Sequence, residues 1–288
     1  MKKLLLSAFV ICLAGTSIAQ ESPLWMRHCA LSPDGTTIAF TYKGDIYTVP
    51  STGGRATQIT TNPAFDTEPV WSPDSKQIAF ASDRMGSLDV FVVSSEGGTP
   101  QRLTTHSGSE KPVAYKDNKH ILFTANIAPS AEDAGFPSGQ FQQVYEVAVT
   151  GGRPAMFSSM PMECISINKE GVMLYQDKKG YEDYWRKHQV SPIARDIWTY
   201  TPGKKPVYQK QTTFGGEDRE PVWSPDGKSF YYLSEEKGSF NIFQRTPGTT
   251  TSQQITFHTK HPVRFLSIST TGTLCYGYDG EIYTLTPG

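Results

Sequence analysis

The sequence predicts an all-β fold, a six-bladed β-propeller of four-stranded antiparallel blades. Three observations support it. A unit of about 40 residues recurs along the chain, which is the size of a propeller blade. The composition, with 25 Gly, 20 Pro, 14 Tyr and 15 Phe, favours turns and strands. No long stretch repeats apolar residues at helical spacing, so little helix is expected.

Three copies of the unit are strong. They begin at Ala30 ("ALSPDGTTIAFTYKGDIYTVPSTGGRATQIT"), at Val70 ("VWSPDSKQIAFASDRMGSLDVFVVSSEGGTPQRLT") and at Val222 ("VWSPDGKSFYYLSEEKGSFNIFQRTPGTTTSQQIT"). Each contains four short strand-like pieces separated by turn residues. In the second copy these pieces are the approach to Trp71, then Gln77 to Ala81, Leu88 to Val93 and Pro100 to Thr104.

Three weaker copies occupy the remaining chain, as "VAYKDNKHILFTAN", "ISINKEGVMLYQD" and "LSISTTGTLCYGYDGEIYTLTPG". We expect one propeller domain over residues 20–288, with blades near 24–62, 63–106, 107–159, 160–214, 215–258 and 259–288. Aligned on Trp71, the six copies have anchor residues Leu31, Trp71, Ala114, Ser166, Trp223 and Ser267.

The pattern of each unit explains why the units must stack. Runs such as Ile78-Ala79-Phe80 are apolar on both faces, as strands covered on both sides must be. In the Ser-Pro-Asp-Gly turn, proline presets φ, aspartate bonds nearby backbone amides and glycine accepts positive φ. The pairs Gly53-Gly54, Gly97-Gly98 and Gly151-Gly152 are expected to form the hairpin before each outer strand.

Residues 1–19 resemble an export signal. Lys2 and Lys3 precede an apolar run from Leu4 to Ala14, and a small-x-small cleavage site ends at Ala19. The apolar run is too short for a membrane-spanning helix, so no stable membrane insertion is expected. A lipid anchor at Cys12 is disfavoured because Ile11 precedes it. We therefore expect export through a Sec-type signal to the periplasm or the extracellular space.

Charge and cysteine content exclude several classes. Lys and Arg number 27 against 28 Asp and Glu, without a basic stripe, so a nucleic-acid partner has no support. Beyond residue 19 the cysteines are Cys29, Cys164 and Cys275, an odd number with wide spacing, which indicates neither a disulfide framework nor a metal site. They are expected to be small buried residues.

The obvious nucleophile candidates are Ser32, Ser72 and Ser224. A nucleophilic serine needs a base within hydrogen-bond reach and an oxyanion hole, and three equivalent copies in turns without a repeated histidine do not supply them. A sialidase-type Asp box matches only weakly, because glycine follows Asp34 and Asp226 too early. We interpret these serines as structural.

Metal and cofactor patterns are also weak. His258 and His261 have H-x-x-H spacing but no glutamate between them, and no H-E-x-x-H helix, Walker loop or G-x-G-x-x-G occurs. We expect no cofactor, no metal site and no catalytic residue in this chain.

The repeat "WSPDGkxIaF...DIyvxxxxGGxxxxLT" resembles that of tricorn-type proteases, the Tol-system propeller protein and the prolyl-oligopeptidase group. "MRHCALSPDGTTIAFTYKGDIYTVPSTGGRATQIT" and "KGYEDYWRKHQVSPIARDIWTY" resemble more narrowly the N-terminal six-bladed propeller of tricorn protease homologues, over roughly residues 23–288. In that family a second propeller, a PDZ-like domain and a serine peptidase core follow.

The resemblance implies a noncatalytic propeller of a secreted serine protease, which gates or channels peptides and mediates assembly. Its partners would be peptides or protein substrates, the other domains of the parent enzyme and, through them, further copies in a homo-oligomer. The sixth copy ends at "EIYTLTPG", where the others continue to an outer strand. Either the segment near Ser22 to Trp25 completes that blade, or the sequence is cut short.

Two alternatives remain. A stand-alone periplasmic binding module would resemble the Tol-system propeller, which docks an outer-membrane lipoprotein but carries an α/β domain before its blades. A prolyl-oligopeptidase-type peptidase would need an α/β-hydrolase domain. A second propeller, a stop codon or a nucleophile-elbow motif in the DNA after Gly288 would distinguish the three classes.

Two insertions interrupt the repeat. "IAPSAEDAGFPSGQFQQ" lies in the third copy and "KKGYEDYWRKHQVSPIA" in the fourth. Loops of neighbouring blades can form one wall of a binding surface or an interdomain contact, and aromatic and cationic side chains dominate such contacts. The candidate contact residues are Tyr184, Trp185, Arg186, His188 and Arg195. The same loop could equally be an ordered cover of the blade faces, anchored by Trp185.

Overall fold

A computed structural model describes residues 25–127, 142–180 and 190–288. These residues form six antiparallel sheets in which the strands follow chain order. The first strand of each sheet contacts the first strands of both neighbouring sheets in a closed cycle. The predicted six-bladed propeller is therefore confirmed.

The first three blades have four strands each. Blade 1 contains β1 (Arg27–Leu31), β2 (Thr37–Tyr42), β3 (Asp45–Pro50) and β4 (Thr57–Gln58). Blade 2 contains β5 (Asp66–Trp71), β6 (Gln77–Ser82), β7 (Asp89–Ser94) and β8 (Gln101–Arg102). Blade 3 contains β9 (Glu110–Asp117), β10 (His120–Ala125), β11 (Gln143–Ala148) and β12 (Ala155–Ser158).

The last three blades contain eleven strands. Blade 4 contains β13 (Met162–Ile167), β14 (Met173–Asp177), β15 (Ile197–Thr201) and β16 (Val207–Lys210). Blade 5 contains β17 (Asp218–Trp223), β18 (Phe230–Ser234), β19 (Asn241–Arg245) and β20 (Ser252–Gln254). Blade 6 contains β21 (Arg264–Ile268), β22 (Leu274–Tyr278) and β23 (Glu281–Leu285).

Strand register corrects the alignment of the weaker copies by one residue. Trp71 pairs with Ile78 at the end of its hairpin, and Leu31 pairs with Ile38 in the same way. The residues at this position in the weaker blades are not Ala114, Ser166 and Ser267 but their successors, Tyr115, Ile167 and Ile268. Each weaker turn lacks the Ser-Pro-Asp sequence that would have fixed the alignment.

The Ser-Pro-Asp segments form the predicted hairpin turns. The hydroxyl of Ser72 donates to Asp74 Oδ1 over 2.7 Å and accepts the backbone N–H of Gln77. Ser224 donates to Asp226 over 2.6 Å in the same way. In blade 4, Asn168 replaces this pair and accepts the N–H groups of Glu170 and Val172. The turn therefore closes the first hairpin whichever polar side chain is present.

Apolar side chains fill the junctions between blades. Each of six buried clusters combines residues from two neighbouring blades, including one cluster between blade 6 and blade 1. Trp71 packs with Ile46 and Ile59 of blade 1, and its indole N–H donates to Ala30 O over 2.8 Å. Trp223 donates to Val172 O of blade 4 over 3.1 Å. Both tryptophans therefore act as wedges against the preceding blade.

Threonines anchor the outer strands of four blades. A backbone N–H at the start of the third strand donates over 2.9 Å to a threonine hydroxyl that follows the outer strand. The pairs are Ile46 with Thr60, Val90 with Thr104, Ile197 with Thr212, and Ile242 with Thr256. The recurring Leu-Thr or Ile-Thr that ends the strong copies is thus a side-chain link between strands.

Blade 6 has three strands within the described residues, so its predicted incompleteness is confirmed there. Trp25 lies before β1 and is not in a strand, while Ser22 lies outside the described residues. The N–H of Met26 donates to Gly280 O, as the N–H of Asp66 donates to Gly44 O at the next junction. The ring therefore closes between blade 6 and blade 1 through the contact that links consecutive blades.

No helix in the described ranges has the length and apolar character needed to cross a lipid bilayer. The predicted signal segment, residues 1–19, lies outside those ranges.

Candidate functional site: the mouth of the central channel

Each innermost strand carries a bulge near the start of the strand. In β5, Thr67 pairs with Ala81 and Val70 with Ala79, so two residues oppose one. One residue of each innermost strand lies three positions before the residue equivalent to Trp71. We call these six residues the channel ring. Its members are His28, Glu68, Pro112, Cys164, Glu220 and Phe265.

The backbone conformation at the channel ring is repeated although the side chains differ. Five members have positive φ, between 50° and 60°, which is uncommon outside glycine. The sixth member is Pro112, whose ring holds φ negative. In blade 3 the bulge residue is Val113, which has no partner in β10. A strained conformation retained in five blades of different sequence indicates that the fold imposes it.

The channel ring converges on the axis of the propeller. His28 of blade 1 lies within electrostatic range of Glu68, Lys111 and Glu220, which come from blades 2, 3 and 5. Cys164 of blade 4 is likewise influenced by Glu68 and Glu220. Side chains of non-adjacent blades can meet only near the axis. The channel ring therefore lines the mouth of the central channel.

One ion pair at the mouth is half-exposed. Lys111 Nζ lies 2.5 Å from Glu68 Oε1, and the two side chains are 35% and 27% exposed. A pair that keeps this much contact with water contributes little to stability and can exchange partners. Glu68 and Lys111 are therefore the groups at the mouth that are best placed to meet a charged ligand.

Glu220 is held in place by its neighbours. Its Oε2 accepts the backbone N–H of Leu266 in blade 6 over 2.8 Å, and its own N–H donates to Gln176 Oε1 in blade 4 over 2.8 Å. Gln176 in turn donates to Glu163 Oε2 over 3.0 Å. These bonds connect three consecutive blades around the channel and keep a buried carboxylate facing it.

Arg195 is the one predicted contact residue within the described ranges. It is buried, with Nε 3.1 Å from Glu163 Oε2 and Nη1 3.4 Å from Glu217 Oε1. Burial alone would lower the pKa of Arg195, but these two carboxylates raise it. Burial would raise the pKa of Glu163, whereas the charges of Arg195 and Lys178 lower it. Arg195 thus remains charged and braces the mouth between blades 4 and 5.

His28 is mostly enclosed at the mouth. Burial lowers its pKa, and the nearby Glu68 carboxylate opposes that shift only in part. Its ring lies 4.7 Å from the ring of Phe265. His28 is therefore neutral at pH 7 and offers an aromatic edge and a neutral nitrogen rather than a charge.

Both insertions arise from the face of the propeller that carries the channel ring. One connects β10 to β11 and the other β14 to β15, and these are equivalent turns of neighbouring blades. Lys179 and Arg195 lie at the two ends of the second insertion, and Lys179 Nζ donates a hydrogen bond to Asp196. Four predicted contact residues lie outside the described residues: Tyr184, Trp185, Arg186 and His188.

The remaining candidates are not members of the channel ring. Ser32, Ser72 and Ser224 are in the hairpin turns at the far ends of the innermost strands. His258 stacks on Tyr278 with ring centroids 3.8 Å apart, and His261 Nε2 is 3.3 Å from Asp279. The described residues hold no group of three or more His, Cys, Asp and Glu that could bind a metal ion.

Sequence reasoning missed the channel ring, although a signal was present. Blades 2 and 5 share the pattern D-x-E-P-V-W, in "DTEPVW" and "DREPVW", and its glutamates are Glu68 and Glu220. The strand predictions began only at the tryptophan end, so the residues before it were not compared.

A family model named the tricorn protease N-terminal beta propeller domain matches residues 23–288. The chain belongs to this family. The tricorn propeller described here is 24% identical over 260 residues to Tricorn protease homolog 1 of Streptomyces coelicolor, covering 88% of this chain and 23% of that protein. It is 34% identical over 218 residues to an uncharacterized protein of Agrobacterium fabrum, covering 70% and 68% of the two chains.

Solved structures share the fold of this tricorn propeller. The crystal structure of the tricorn protease matches 92% of this chain and 25% of its own, with a TM-score of 0.76 and 17% identity. TolB from Acinetobacter baumannii matches 89% of this chain and 64% of its own, with a TM-score of 0.64 and 15% identity. The chain thus spans about a quarter of the tricorn proteins to which it is similar.

Proposed function

We propose that this tricorn propeller guides peptides through its central channel, to or from a serine peptidase site elsewhere in the full-length protein. The observation that carries this proposal is the mixed-charge mouth, where charged side chains of non-adjacent blades lie within electrostatic range of His28. In this role the propeller is noncatalytic, and its contacts select and orient chains before or after hydrolysis.

The chemistry of the mouth suits an extended peptide. A peptide carries an ammonium group, a carboxylate and backbone donors and acceptors along its length. Glu68 and Lys111 offer one group of each sign at half-exposed positions, and neutral His28 adds an aromatic contact. Paired charges bind transiently because a ligand must compete with the existing partner, which suits passage rather than retention.

Peptide binding tests this role. The variant Glu68→Gln with Lys111→Met removes both charges at the mouth while keeping side-chain size. We expect it to weaken binding of unstructured fluorescent peptides about fivefold, measured by anisotropy, since such a pair is worth up to about 1 kcal/mol.

The chain contains a matched control. Lys116 and Glu146 form a similar pair, 2.7 Å apart and 38% and 22% exposed, near the opposite end of blade 3. Lys116→Met with Glu146→Gln should leave peptide affinity unchanged. Equal affinities of both double variants and the wild type would refute a channel role.

We further propose that the two insertions form a wall beside the mouth and contact peptides or another domain of the parent protease. The basis is the shared face from which they leave the propeller and the position of Arg195 directly after the second insertion. Arg186→Ala with His188→Ala should weaken peptide binding in calorimetry if the wall contacts peptides. Unchanged affinity would leave interdomain packing as the role of the wall. In that case the same double variant should change the oligomer size of the full-length protein.

We also propose that the chain is exported and cleaved after Ala19. The support is the charged start, apolar run and small-x-small site of residues 1–19. N-terminal sequencing of protein recovered from a periplasmic extract should begin at Gln20. Recovery of the intact N-terminus in the cytoplasmic fraction alone would contradict this proposal.

A further inference from the structure

Two cysteines meet where the ring closes. Cys29 lies in β1 of the first blade and Cys275 in β22 of the last. Both belong to one buried cluster that also contains Leu31, Ile38 and Phe40. The wide spacing of the cysteines in the sequence concealed this, because only the closed ring brings the first and last blades together.

The thiol groups of Cys29 and Cys275 lie close enough to interact within this cluster, and both cysteines are free in the structure. Cys29 Sγ lies 3.5 Å from the carbonyl oxygen of Phe265, in the strand that pairs with β22. Burial raises the pKa of the Cys29 thiol, and the adjacent Cys275 thiol raises it further. Cys29 and Cys275 are 4% and 0% exposed, so neither is open to reagents in the closed ring.

The junction that they share differs from the other five. Consecutive blades are joined by the chain, whereas blade 6 and blade 1 are held by packing and a few hydrogen bonds in the described residues. These include Leu31 N–H to Ser267 Oγ over 3.0 Å and Thr270 N–H to Pro33 O over 2.8 Å. A covalent link here would therefore restrain the junction that no described segment of the chain spans.

We propose that Cys29 and Cys275 form a disulfide bond that closes the propeller covalently. The inference is independent of the peptide-channel role. It depends on export only because disulfides persist in oxidising compartments.

The bond forms by thiol–disulfide exchange with a disulfide-bearing oxidoreductase or a small-molecule disulfide. One thiolate attacks the oxidant and releases one of its sulfurs as a thiol. The second thiolate then attacks the mixed disulfide and releases the other. The protein loses two protons and two electrons, and the oxidant is reduced to two thiols. Since burial raises the pKa of Cys29, the exchange takes place before the last blade docks.

Peptide mapping tests the link directly. The full chain is produced in an oxidising bacterial compartment and in a reducing cytoplasm, denatured with iodoacetamide and digested with trypsin. Oxidised protein should yield fragment 28–43 joined to fragment 265–288, and the joined species should disappear after reduction. Cys164 was expected to be buried but is exposed. It serves as the internal control and should be alkylated in both samples.

Thermal unfolding supplies a second measurement. The oxidised wild type should unfold several degrees above the reduced form, and this difference should vanish in Cys275→Ala and persist in Cys164→Ala. Alkylated Cys29 and Cys275 in folded protein from the oxidising compartment would overturn the proposal. Recovery of either residue joined to Cys164 or to a second molecule would do so as well.

Discussion

The two ends of the innermost strands repeat different properties. At the hairpin end, the three strong copies repeat the sequence Ser-Pro-Asp, and the serine hydroxyl donates to the aspartate in each of them. At the channel end, five blades repeat a backbone conformation, with φ between 50° and 60°, but carry His, Glu, Cys, Glu and Phe. Repeated side chains identify the scaffold, whereas varied side chains on a repeated backbone identify the surface available for function.

This difference has a physical basis. The hairpin end is packed against the preceding blade, so a change there creates a cavity or leaves a polar group unpaired. The channel end faces the axis, where side chains of different size and charge can be accommodated. Substitutions at the hairpin end and at the channel end of the innermost strands test this difference.

The largest effect is expected at the hairpin end. Trp71→Ala removes a buried wedge and its bond to Ala30, and should lower the free energy of unfolding by about 3–5 kcal/mol. Urea unfolding at pH 7 measures this. Trp25→Ala is the control, because Trp25 is 71% exposed and its loss should change stability by less than about 0.5 kcal/mol. Equal losses would mean that Trp71 is not a wedge.

The next effect lies at the channel end and depends on pH. Burial raises the pKa of Asp218 to about 7, although the nearby hydroxyl groups of Ser234 and Thr212 oppose this shift. Between about pH 4 and pH 7 the folded state keeps a proton that the unfolded chain releases, so stability falls as pH rises through this window. Asp218→Asn should remove that slope and raise stability at pH 8 by about 2–4 kcal/mol.

The equivalent carboxylate of blade 2 provides a control of opposite sign. Asp66 is bonded by Arg84 Nη2 at 2.9 and 2.8 Å. Asp66→Asn leaves that guanidinium without its anion and should destabilise the protein at pH 8. Urea unfolding of both variants from pH 4 to pH 8 measures the slopes. If both variants changed stability in the same direction across this pH range, ion pairing would not determine how much each buried carboxylate destabilises the fold.

The repeat made the fold and the hairpin end predictable from sequence, because Ser-Pro-Asp and Gly-Gly have local turn preferences. The anchors Ala114, Ser166 and Ser267 were one residue off because those blades use other turn residues. The channel ring depends on six segments distant in sequence, and its positive φ values are imposed by stacked blades rather than by residue type. The proximity of Cys29 to Cys275 likewise exists only in the closed ring.

A smaller effect is expected from the turn hydroxyl. Ser224→Ala removes the bonds to Asp226 and Ser229 and should lower stability by about 1 kcal/mol. Ser72→Ala should lose a similar amount, because the same bonds recur there. Urea unfolding measures both, and peptide affinity by anisotropy should be unchanged. A loss of peptide binding or of any peptidase activity would contradict the structural role of these serines.

The smallest effect on stability is expected where the largest effect on binding is proposed. Glu68→Gln with Lys111→Met removes a half-exposed pair, and the free energy of unfolding should change by no more than about 1 kcal/mol. Neither residue is left with a buried unpaired charge, because both are changed together. Unfolding in urea and peptide anisotropy on the same sample separate the two properties. If this double variant lost as much stability as Trp71→Ala, the channel end would be scaffold, and its varied side chains would need another explanation.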